Sequence, residues 1–261
     1  MQHAILLVGH GTRNSVGQEQ FLHLAEQLRA AVAPTPVEVA YIELQAPLIA
    51  DALLDLHRQG CAKIILAPAL LFAAGHAKQD IPAAVAAAQK LAPQLIVEIA
   101  EPLGCHPALL QLAAYRYSDA RDGQDVETPL PGSPSSIALV LIGRGSSDPT
   151  AIVHCQEFAG LLAEQVNCQN FFTGFIAIAK PSLAEALEQA AASGAQQIIV
   201  QPHLLFSGEM LDSTAVAVAQ ARRKHPQLAW QQSDSLGADL GDPQGIAADY
   251  LVRAMLDRIK T

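Results

Sequence analysis

The chain has 261 residues, 51% of them hydrophobic and only 16% charged, so a well-packed globular protein is expected rather than a disordered one. The formal net charge of −9 argues against broad binding to nucleic acid or to anionic membrane, because both need clustered Lys and Arg. No apolar run is long enough to cross a bilayer. The first strand-like segment starts directly after Met1, which predicts a cytoplasmic protein without a signal peptide.

The first half of the chain alternates between strand and helix patterns. A continuous apolar run, typical of a strand buried on both faces, predicts a strand over residues 4–8, and further strands are predicted over residues 37–42, 63–67 and 95–99. Apolar residues at helical spacing predict helices around residues 21–28 and 49–56, after residue 80, and from residue 107 onward. Asp80 is expected to cap the third helix, with Pro82 in its first turn. This alternation indicates parallel sheets with right-handed crossovers.

The second half repeats the first with a shift of 134 positions. The matching positions are Gly9 and Gly143, Pro47 and Pro181, Gly60 and Gly194, Pro68 and Pro202, and residues 71–72 and 205–206. Strands are therefore predicted again over residues 137–142, 171–178, 197–200 and 229–232. We expect two duplicated, doubly wound α/β lobes that face each other across a cleft. The N-terminal lobe would span 1–117, a linker rich in Pro, Gly and Ser 118–136, and the C-terminal lobe 137–261.

Three ionisable residues of the first half follow predicted strands. His10 comes after the first strand, Glu43 ends the second, and His76 follows the third. Ligands of open parallel sheets bind beyond the carboxyl ends of the strands, and neighbouring strands lie ~4.8 Å apart, so the three side chains are expected to meet. Two imidazoles and a carboxylate suit a divalent Fe, Co, Ni or Zn ion. Gly11 and Gly75 beside the histidines are expected to allow unusual backbone angles and close approach of a flat ligand.

The second copy lacks all three candidate ligands. At a shift of 134, His10 becomes Arg144, Glu43 becomes Ala177 and His76 becomes Met210, while the glycines and prolines of the scaffold remain. We therefore predict that the first lobe carries the chemistry and that the second lobe completes the cleft. His203 is a candidate late addition to that cleft, with a buried structural histidine as the alternative.

Candidate anchors for an anionic ligand lie in the same loops. Arg13 and Lys78 belong to the first half, and Arg144, Ser146 and Ser147 occupy the matching loop of the second half. Backbone amides at helix N-termini would add further donors. Each of these residues is also compatible with an ordinary solvated surface position.

Several other kinds of site are excluded by their sequence patterns. The dinucleotide fingerprint GxGxxG fails at Asn14, and the chain has no GK[ST] phosphate-binding loop. A phosphohistidine phosphatase would need an Arg directly before His10, where Gly9 stands. The four cysteines form no CxxC pair and are predicted to be reduced, structural thiols of a cytosolic protein: Cys61, Cys105, Cys155 and Cys168.

Three segments carry a resemblance to a known family. LVGHGTRN at residues 7–14, FAAGHAKQDIP at 72–82 and GRGSSDP at 143–149 closely resemble the sirohydrochlorin chelatases, in particular the long, two-lobed CbiX/SirB type of the class II chelatase superfamily. The resemblance covers nearly the whole chain. It implies insertion of Co²⁺, towards cobalamin, or Fe²⁺, towards sirohaem, into sirohydrochlorin without ATP. The family's two His and one Glu would fall on His10, His76 and Glu43.

The resemblance also sets expectations for cofactors and partners. Some long relatives carry a His-rich tract and a Cys-ligated iron–sulfur tail, and this sequence shows neither, so no cluster and no permanently bound cofactor are expected. The divalent metal and the tetrapyrrole are substrates. A monomer is expected, because both lobes of the cleft belong to one chain.

Metal insertion requires a ligand that releases the metal and a base that accepts two pyrrole protons. Imidazole suits both tasks near neutral pH. We hypothesise that His10 and His76 bind the metal while Glu43 assists proton removal, and that the substrate's carboxylates meet Arg13 and Lys78 along with Arg144. Which of the three site residues takes the protons stays open, as does the choice between Co²⁺ and Fe²⁺.

Two other classes of protein fit part of this pattern. A non-catalytic tetrapyrrole or metal carrier would use the same ligands without accelerating metal insertion. A periplasmic-type binding module would close two lobes on a small solute, and the expected lack of a signal peptide counts against it.

Overall fold

The computed structural model describes residues 2–123 and 136–260. Its strands are β1 (Gln2–Gly9), β2 (Val37–Tyr41), β3 (Cys61–Pro68), β4 (Ile96–Ile99), β5 (Ile137–Gly143), β6 (Asn170–Phe175), β7 (Gln197–Pro202) and β8 (Ala229–Gln232). Its α-helices are α1 (Ser15–Val32), α2 (Ile49–Arg58), α3 (Ile81–Leu91), α4 (Pro107–Asp122), α5 (Pro149–Gln165), α6 (Leu183–Ala191), α7 (Glu209–Lys224) and α8 (Ala247–Lys260). A π-helical turn over His76–Asp80 leads directly into α3.

The strands form two parallel four-stranded sheets with the same order. The first sheet runs β2-β1-β3-β4 and the second β6-β5-β7-β8, and every pairing within them is parallel. This confirms the predicted α/β class and the duplication. In each sheet the first strand of the repeat lies between two neighbours, which explains why residues 4–8 and 137–142 are apolar on both faces.

Each sheet has its own apolar core. In the first, β1 and β3 pack against α2 and α3, with Leu53 and Leu56 of α2 almost fully buried. In the second, β5 and β7 pack against α6 and α7, and Trp230 of β8 closes the cluster. Burying a Leu or Ile side chain contributes about 1.5–3 kcal/mol, so the central strands and their helices hold the loops at the carboxyl edge in place.

The compact units differ from the boundaries expected from the repeat. Unit 1 comprises residues 1–108 and 239–261, and unit 2 comprises 109–238. α8 therefore belongs to the first unit, where the Arg258 guanidinium donates to the Leu103 carbonyl at 3.0 Å. Most of α4 belongs to the second unit, where the Gln201 amide donates to the Ala113 carbonyl at 2.8 Å. The assignment of α8 to unit 1 and of most of α4 to unit 2 cannot be read from sequence order. It depends on which helix packs against which sheet.

The predicted linker also begins too early. α4 continues through Asp122, so residues 118–122 are helical, and Arg121 forms an ion pair with Asp122 at 2.8 Å. Polar residues in the last turn of a helix resemble a loop in composition, which explains the error. Residues 124–135 of the predicted linker lie outside the described residues.

Two further details correct the predictions. The strand expected over 171–178 ends at Phe175, because the apolar run continues into a loop in which Ile178 adopts a φ of 62°. α3 begins after Asp80 with proline in its first turn, as expected, but the Asp80 side chain makes no capping hydrogen bond. Its backbone is already helical, since the π-helical turn runs into the helix without a break.

Candidate functional site at the carboxyl edge of the first sheet

His10 and Glu43 lie next to each other in unit 1. His10 follows the central strand β1, and Glu43 lies in the loop after the neighbouring strand β2. His10 Nδ1 and Glu43 Oε1 are 3.6 Å apart, with 26% of the His10 side chain and 49% of the Glu43 side chain exposed. The predicted meeting of these two residues is confirmed. Both side chains are open to a ligand arriving from solvent.

The backbone fixes the two loops against each other. The Ile42 amide donates to the Gly9 carbonyl at 3.0 Å, and the Glu43 amide donates to the His10 carbonyl at 3.2 Å. Gly11 follows with a φ of 95°, and a Cβ at this position would collide with the Glu43 carbonyl oxygen. Glycine is therefore required here by both backbone angle and space. The prediction of an unusual angle at Gly11 is confirmed.

The pair has a geometry that suits a metal ion. Divalent metals bind His nitrogen and carboxylate oxygen at ~2.0–2.2 Å. Two donors 3.6 Å apart that both lie ~2.1 Å from one ion subtend an angle of roughly 120° at that ion, within the range of tetrahedral and trigonal sites. Nδ1 of His10 would be the ligand atom, since Nε2 is shielded from solvent. Imidazole nitrogen and carboxylate oxygen suit Co²⁺ or Fe²⁺, whereas thiolate or thioether ligands would favour softer metals.

The third candidate ligand lies in the loop after β3, the other neighbour of β1. The backbone of His76 begins the π-helical turn, but its side chain lies outside the described part of the structure. Among the side chains that are described, no group of three His, Cys, Asp or Glu is close enough together to hold a metal ion. The inclusion of His76 in the metal site therefore stays a prediction.

The glycine before His76 is not strained. Gly75 has no left-handed backbone angle, and a Cβ there would meet nothing within 4 Å. The expected unusual angle at Gly75 is thus wrong, because the following π-helical turn needs only ordinary helical geometry. The open space beside it leaves room for a ligand. Lys78 in the same turn is exposed, and its amide donates to the Ala74 carbonyl at 2.9 Å.

The equivalent loops of unit 2 keep the backbone and lose the donors. The Ala177 amide donates to the Arg144 carbonyl at 3.0 Å, and Gly145 has a φ of 89°. A Cβ on Gly145 would collide with the Ala177 carbonyl, as it would at the first copy. Arg144 is exposed and offers a guanidinium where unit 1 has an imidazole. The second loop therefore keeps the backbone frame of the first and presents a cation in place of the imidazole.

The other predicted anion anchors are on accessible loops. Arg13 is exposed in unit 1, and Ser147 is exposed in unit 2. Ser146 is half-buried and its hydroxyl accepts a hydrogen bond from the Asp148 amide at 3.0 Å. Asp148 in turn accepts from the Thr150 amide and caps α5. Ser146 thus already holds its own loop, and an incoming anion would meet its hydroxyl hydrogen.

His203 lies in the interior of unit 2. Only 2% of the residue is exposed, and its ring packs against Phe158 with centroids 4.1 Å apart. Burial lowers the pKa of His203 to about 3, so the ring is neutral near neutral pH. This placement agrees with the structural alternative and does not support the expected direct contact with an anionic substrate.

Three residues around the His10 loop were not predicted from the sequence. The Gln45 side chain accepts a hydrogen bond from the Thr12 amide, and the Gln18 side chain donates one to the Thr12 carbonyl. Leu44, directly after Glu43, has a φ of 66° and is 53% exposed, an unusual conformation for a branched apolar residue. The available signal for the glutamines was their replacement by apolar residues at the shift of 134.

The cysteines and the hydropathy of the helices add two general observations. All four cysteines are thiols rather than disulfides, and three of them are buried: Cys61, Cys155 and Cys168. Among the described residues, none of the helices combines the length and apolar character needed to cross a membrane.

Comparison with known proteins identifies a family. The sequence model of the CbiX family matches residues 4–120 and 138–241. The sirohydrochlorin ferrochelatase of Priestia megaterium is 32% identical over 80% of this chain and 75% of its own length. The sirohydrochlorin cobaltochelatase of the same organism is 26% identical over 90% of this chain and 74% of its own length.

Solved structures agree with the sequence comparison. SirB from Bacillus subtilis with Fe³⁺ matches all of this chain and 95% of its own, with a TM-score of 0.81 and 25% identity. The sirohydrochlorin chelatase SirB from Bacillus subtilis subspecies spizizenii in complex with cobalt matches all of this chain and 94% of its own, with a TM-score of 0.78 and 26% identity.

Proposed function

Because the chain belongs to the CbiX family, we propose that it is a sirohydrochlorin chelatase that inserts Co²⁺ or Fe²⁺ into the macrocycle without ATP. Sirohydrochlorin and the metal ion are the substrates, and each turnover exchanges two pyrrole protons for one divalent ion. The observation that carries the proposal is the pair formed by His10 Nδ1 and Glu43 Oε1, 3.6 Å apart at the carboxyl edge of the first sheet.

The roles of the site residues follow from their chemistry. His10 and His76 are proposed to bind the incoming metal, and Glu43 to balance part of its charge and to accept or pass on a pyrrole proton. An imidazole can also release the metal and take up a proton near neutral pH, so the same groups serve both halves of the exchange. The 3.6 Å separation of His10 and Glu43 supports this assignment, because both side chains can bind the same ion at this distance.

Positive groups on the loops are proposed to bind the carboxylates of sirohydrochlorin. In unit 1 these are the exposed Arg13 and Lys78. In unit 2 the exposed Arg144 and the Ser146 hydroxyl are proposed as further anchors. Such local donors are needed because the whole chain carries a formal charge of −9 and would otherwise repel a polyanion. Leu44 is an apolar neighbour for the macrocycle itself.

The proposal includes the cellular setting of the enzyme. We propose that it acts in the cytoplasm as a monomer, with the metal as substrate and with no iron–sulfur cluster or other resident cofactor. The four thiols support a reducing compartment, where disulfides are rare.

The experiment that tests the function follows the absorbance of sirohydrochlorin after addition of Co²⁺ or Fe²⁺, with and without the protein. Wild type should accelerate metal insertion, and His10→Ala should lose at least ~100-fold of that acceleration, as expected when a metal ligand or proton acceptor is removed. His57→Ala is the matched control. His57 belongs to the last turn of α2, where its Nδ1 lies 3.3 Å from the Cys61 carbonyl at the opposite edge of the sheet.

The outcomes separate the enzyme from a carrier. Acceleration by wild type and by His57→Ala, but not by His10→Ala, would support a chelatase with its site in unit 1. Tight binding of sirohydrochlorin without any acceleration by either metal would instead make the protein a carrier. The ratio of the rates with Co²⁺ and Fe²⁺ would rank the two metals.

A further inference from the structure

The backbone of Thr12, two residues after His10, forms hydrogen bonds with glutamine side chains at both its amide and its carbonyl. The Thr12 amide donates to Gln45 Oε1 at 3.0 Å, and Gln18 Nε2 donates to the Thr12 carbonyl at 2.7 Å. Both hydrogen bonds are partly buried. Their directions are fixed by chemistry, because a backbone amide only donates and a carbonyl only accepts.

The two glutamines belong to different elements, and each connects the His10 loop to its own element by a hydrogen bond. Gln45 belongs to the loop that carries Glu43, and its own amide donates to the Glu43 carbonyl at 2.8 Å. Gln18 belongs to the first turn of α1, whose N-cap is Asn14. The Gln45 contact therefore fixes the His10 loop relative to Glu43, while the Gln18 contact fixes it relative to the helix that follows.

Unit 2 provides an internal control for this arrangement. Its loop keeps the backbone hydrogen bonds, the left-handed glycine and the hydroxyl that accepts from the amide two residues later: Thr12 Oγ1 from Asn14 at 3.1 Å, and Ser146 Oγ from Asp148 at 3.0 Å. At the positions of Gln45 and Gln18 it has Ala179 and Ile152. Neither alanine nor isoleucine has a side-chain donor or acceptor, so unit 2 can form neither of the two glutamine contacts.

The copy that lost the metal donors has thus also lost both glutamine contacts, while the features needed for the fold of the loop are kept. The loop of unit 2 presents Arg144, a long side chain that adapts to an anion by changing rotamer. The loop of unit 1 must hold an imidazole nitrogen 3.6 Å from a carboxylate oxygen. Ligand sets of this kind tolerate errors of only ~0.5 Å.

From these observations we infer that Gln45 and Gln18 are positioning residues of the metal site, which hold the Thr12 backbone so that His10 and Glu43 can bind one divalent ion together. The inference rests on the proposed function in that it names the metal as the ligand of His10 and Glu43. Neither glutamine touches the metal or the tetrapyrrole, and each acts through the backbone of the His10 loop.

The first test measures metal binding without the tetrapyrrole. Co²⁺ is titrated into the full chain, and its d–d absorption and binding heat are followed for wild type, Gln45→Ala and Gln18→Ala. Each variant should bind Co²⁺ about tenfold more weakly, the lower end of the loss usual for residues that orient metal ligands. Gln89→Ala is the matched control, because Gln89 Nε2 donates to the Leu95 carbonyl at 3.1 Å beside the start of β4, away from the site. It should bind Co²⁺ like wild type.

Substitution by glutamate distinguishes hydrogen bonding from bulk. Gln45→Glu keeps an acceptor for the Thr12 amide and should retain most of the Co²⁺ affinity. Gln18→Glu places a carboxylate against the Thr12 carbonyl and should be no better than Gln18→Ala. If the side chains only filled space, the two glutamate variants would behave alike, and that result would overturn the inference. Thermal unfolding midpoints are recorded for every variant. If the variants at one glutamine are unfolded at the assay temperature, those at the other glutamine test the inference.

Turnover with sirohydrochlorin separates this inference from the proposed function. In the alanine variants the KM for Co²⁺ should rise about tenfold while the KM for sirohydrochlorin changes less. If wild type turns over and both alanine variants bind Co²⁺ and turn over like wild type, the positioning role is overturned and the chelatase function stands. If wild type binds Co²⁺ in a glutamine-dependent way but accelerates no insertion, the positioning role stands and the chelatase function fails. No Co²⁺ binding by wild type would overturn both.

Discussion

In both units the loop after the central strand runs beside the loop after the neighbouring strand, and equivalent backbone hydrogen bonds join the two. Ile42 to Gly9 in unit 1 corresponds to Ile176 to Gly143 in unit 2, with lengths of 3.0 and 3.1 Å. Gly11 and its counterpart both adopt left-handed angles under a facing carbonyl. At the positions of His10, Glu43, Gln18 and Gln45, unit 2 has Arg144, Ala177, Ile152 and Ala179.

The comparison teaches which features belong to the fold and which belong to the chemistry. A glycine that avoids a collision with a carbonyl is needed wherever the two loops meet, so it occurs twice. On the proposed assignment, a metal ligand and the side chains that orient it are needed only once, and the second copy has other residues at these positions. We therefore expect substitutions of the shared glycines to act alike on stability in the two units, and substitutions of the proposed site residues to act differently.

The largest effect is expected when the first loop is given the residues of the second. His10→Arg and Glu43→Ala should each reduce metal insertion into sirohydrochlorin at least ~100-fold, because each removes one of the proposed groups for metal binding and proton removal. Arg144→Ala in unit 2 should mainly raise the KM for sirohydrochlorin by several-fold, since it removes one charge contact worth about 1 kcal/mol. Steady-state absorbance assays with Co²⁺ measure both parameters. An Arg144→Ala variant as inactive as His10→Arg would contradict the division of labour.

Substitution of the two left-handed glycines should have different effects on metal binding but similar effects on the stability of the protein. Gly11→Ala and Gly145→Ala should each lower the free energy of unfolding by about 2–4 kcal/mol, because a Cβ meets a carbonyl and the backbone angle disfavours alanine. Urea unfolding measures this loss. At a temperature where both variants remain folded, only Gly11→Ala should weaken Co²⁺ binding, since only its loop carries His10. Equal weakening in Gly145→Ala would remove the distinction between the units.

The pH dependence of stability should carry a contribution from unit 2 that unit 1 lacks, because the position of His203 corresponds to Ala69. The folded-state pKa of His203, about 3, lies below its ordinary value of 6.5, so between these limits the unfolded chain binds a proton that the native protein does not. Stability from this group is therefore fully present above pH 6.5 and is lost as pH falls, at about 1.4 kcal/mol per pH unit.

The comparison variant is His203→Leu, which has no proton to bind. Urea unfolding at pH 7 and pH 5 should show a decrease in the free energy of unfolding that is about 2 kcal/mol larger for wild type than for the variant. Identical pH dependence in the two proteins would mean that the His203 ring binds a proton equally well in the native and unfolded states.

The smallest effect concerns the start of equivalent helices. The N-cap of α6 is Ser182, which forms a capping box with Glu185. The N-cap of α2 is Leu48, which makes no capping hydrogen bond. Leu48→Ser should raise the free energy of unfolding by about 1 kcal/mol, and Ser182→Leu should lower it by a similar amount. Hydrogen exchange of the first-turn amides of α2 and α6 localises the change. An unchanged exchange rate in α6 after loss of Ser182 would show that Glu185 alone is sufficient.

The amino-acid sequence was enough to predict the repeat, the α/β class and the approach of His10 to Glu43. These features depend on local periodicity and on the rule that parallel strands present their carboxyl ends at one edge. The strand limits were less accurate where apolar residues continue past the strand, as at Ile178. The helix of residues 118–122 was missed because its polar last turn has the composition of a loop.

The tertiary structure alone decided three other matters: that α8 belongs to unit 1 and most of α4 to unit 2, that His203 is buried against Phe158, and that Gln45 and Gln18 hold the Thr12 backbone. Each depends on which surfaces meet across long stretches of sequence, and a helix pattern or a polar residue type does not specify its partner. The sequence determined which reactive side chains directly follow a strand, because that depends only on the order of strands along the chain. Packing determined which of those groups are accessible and which side chains orient them.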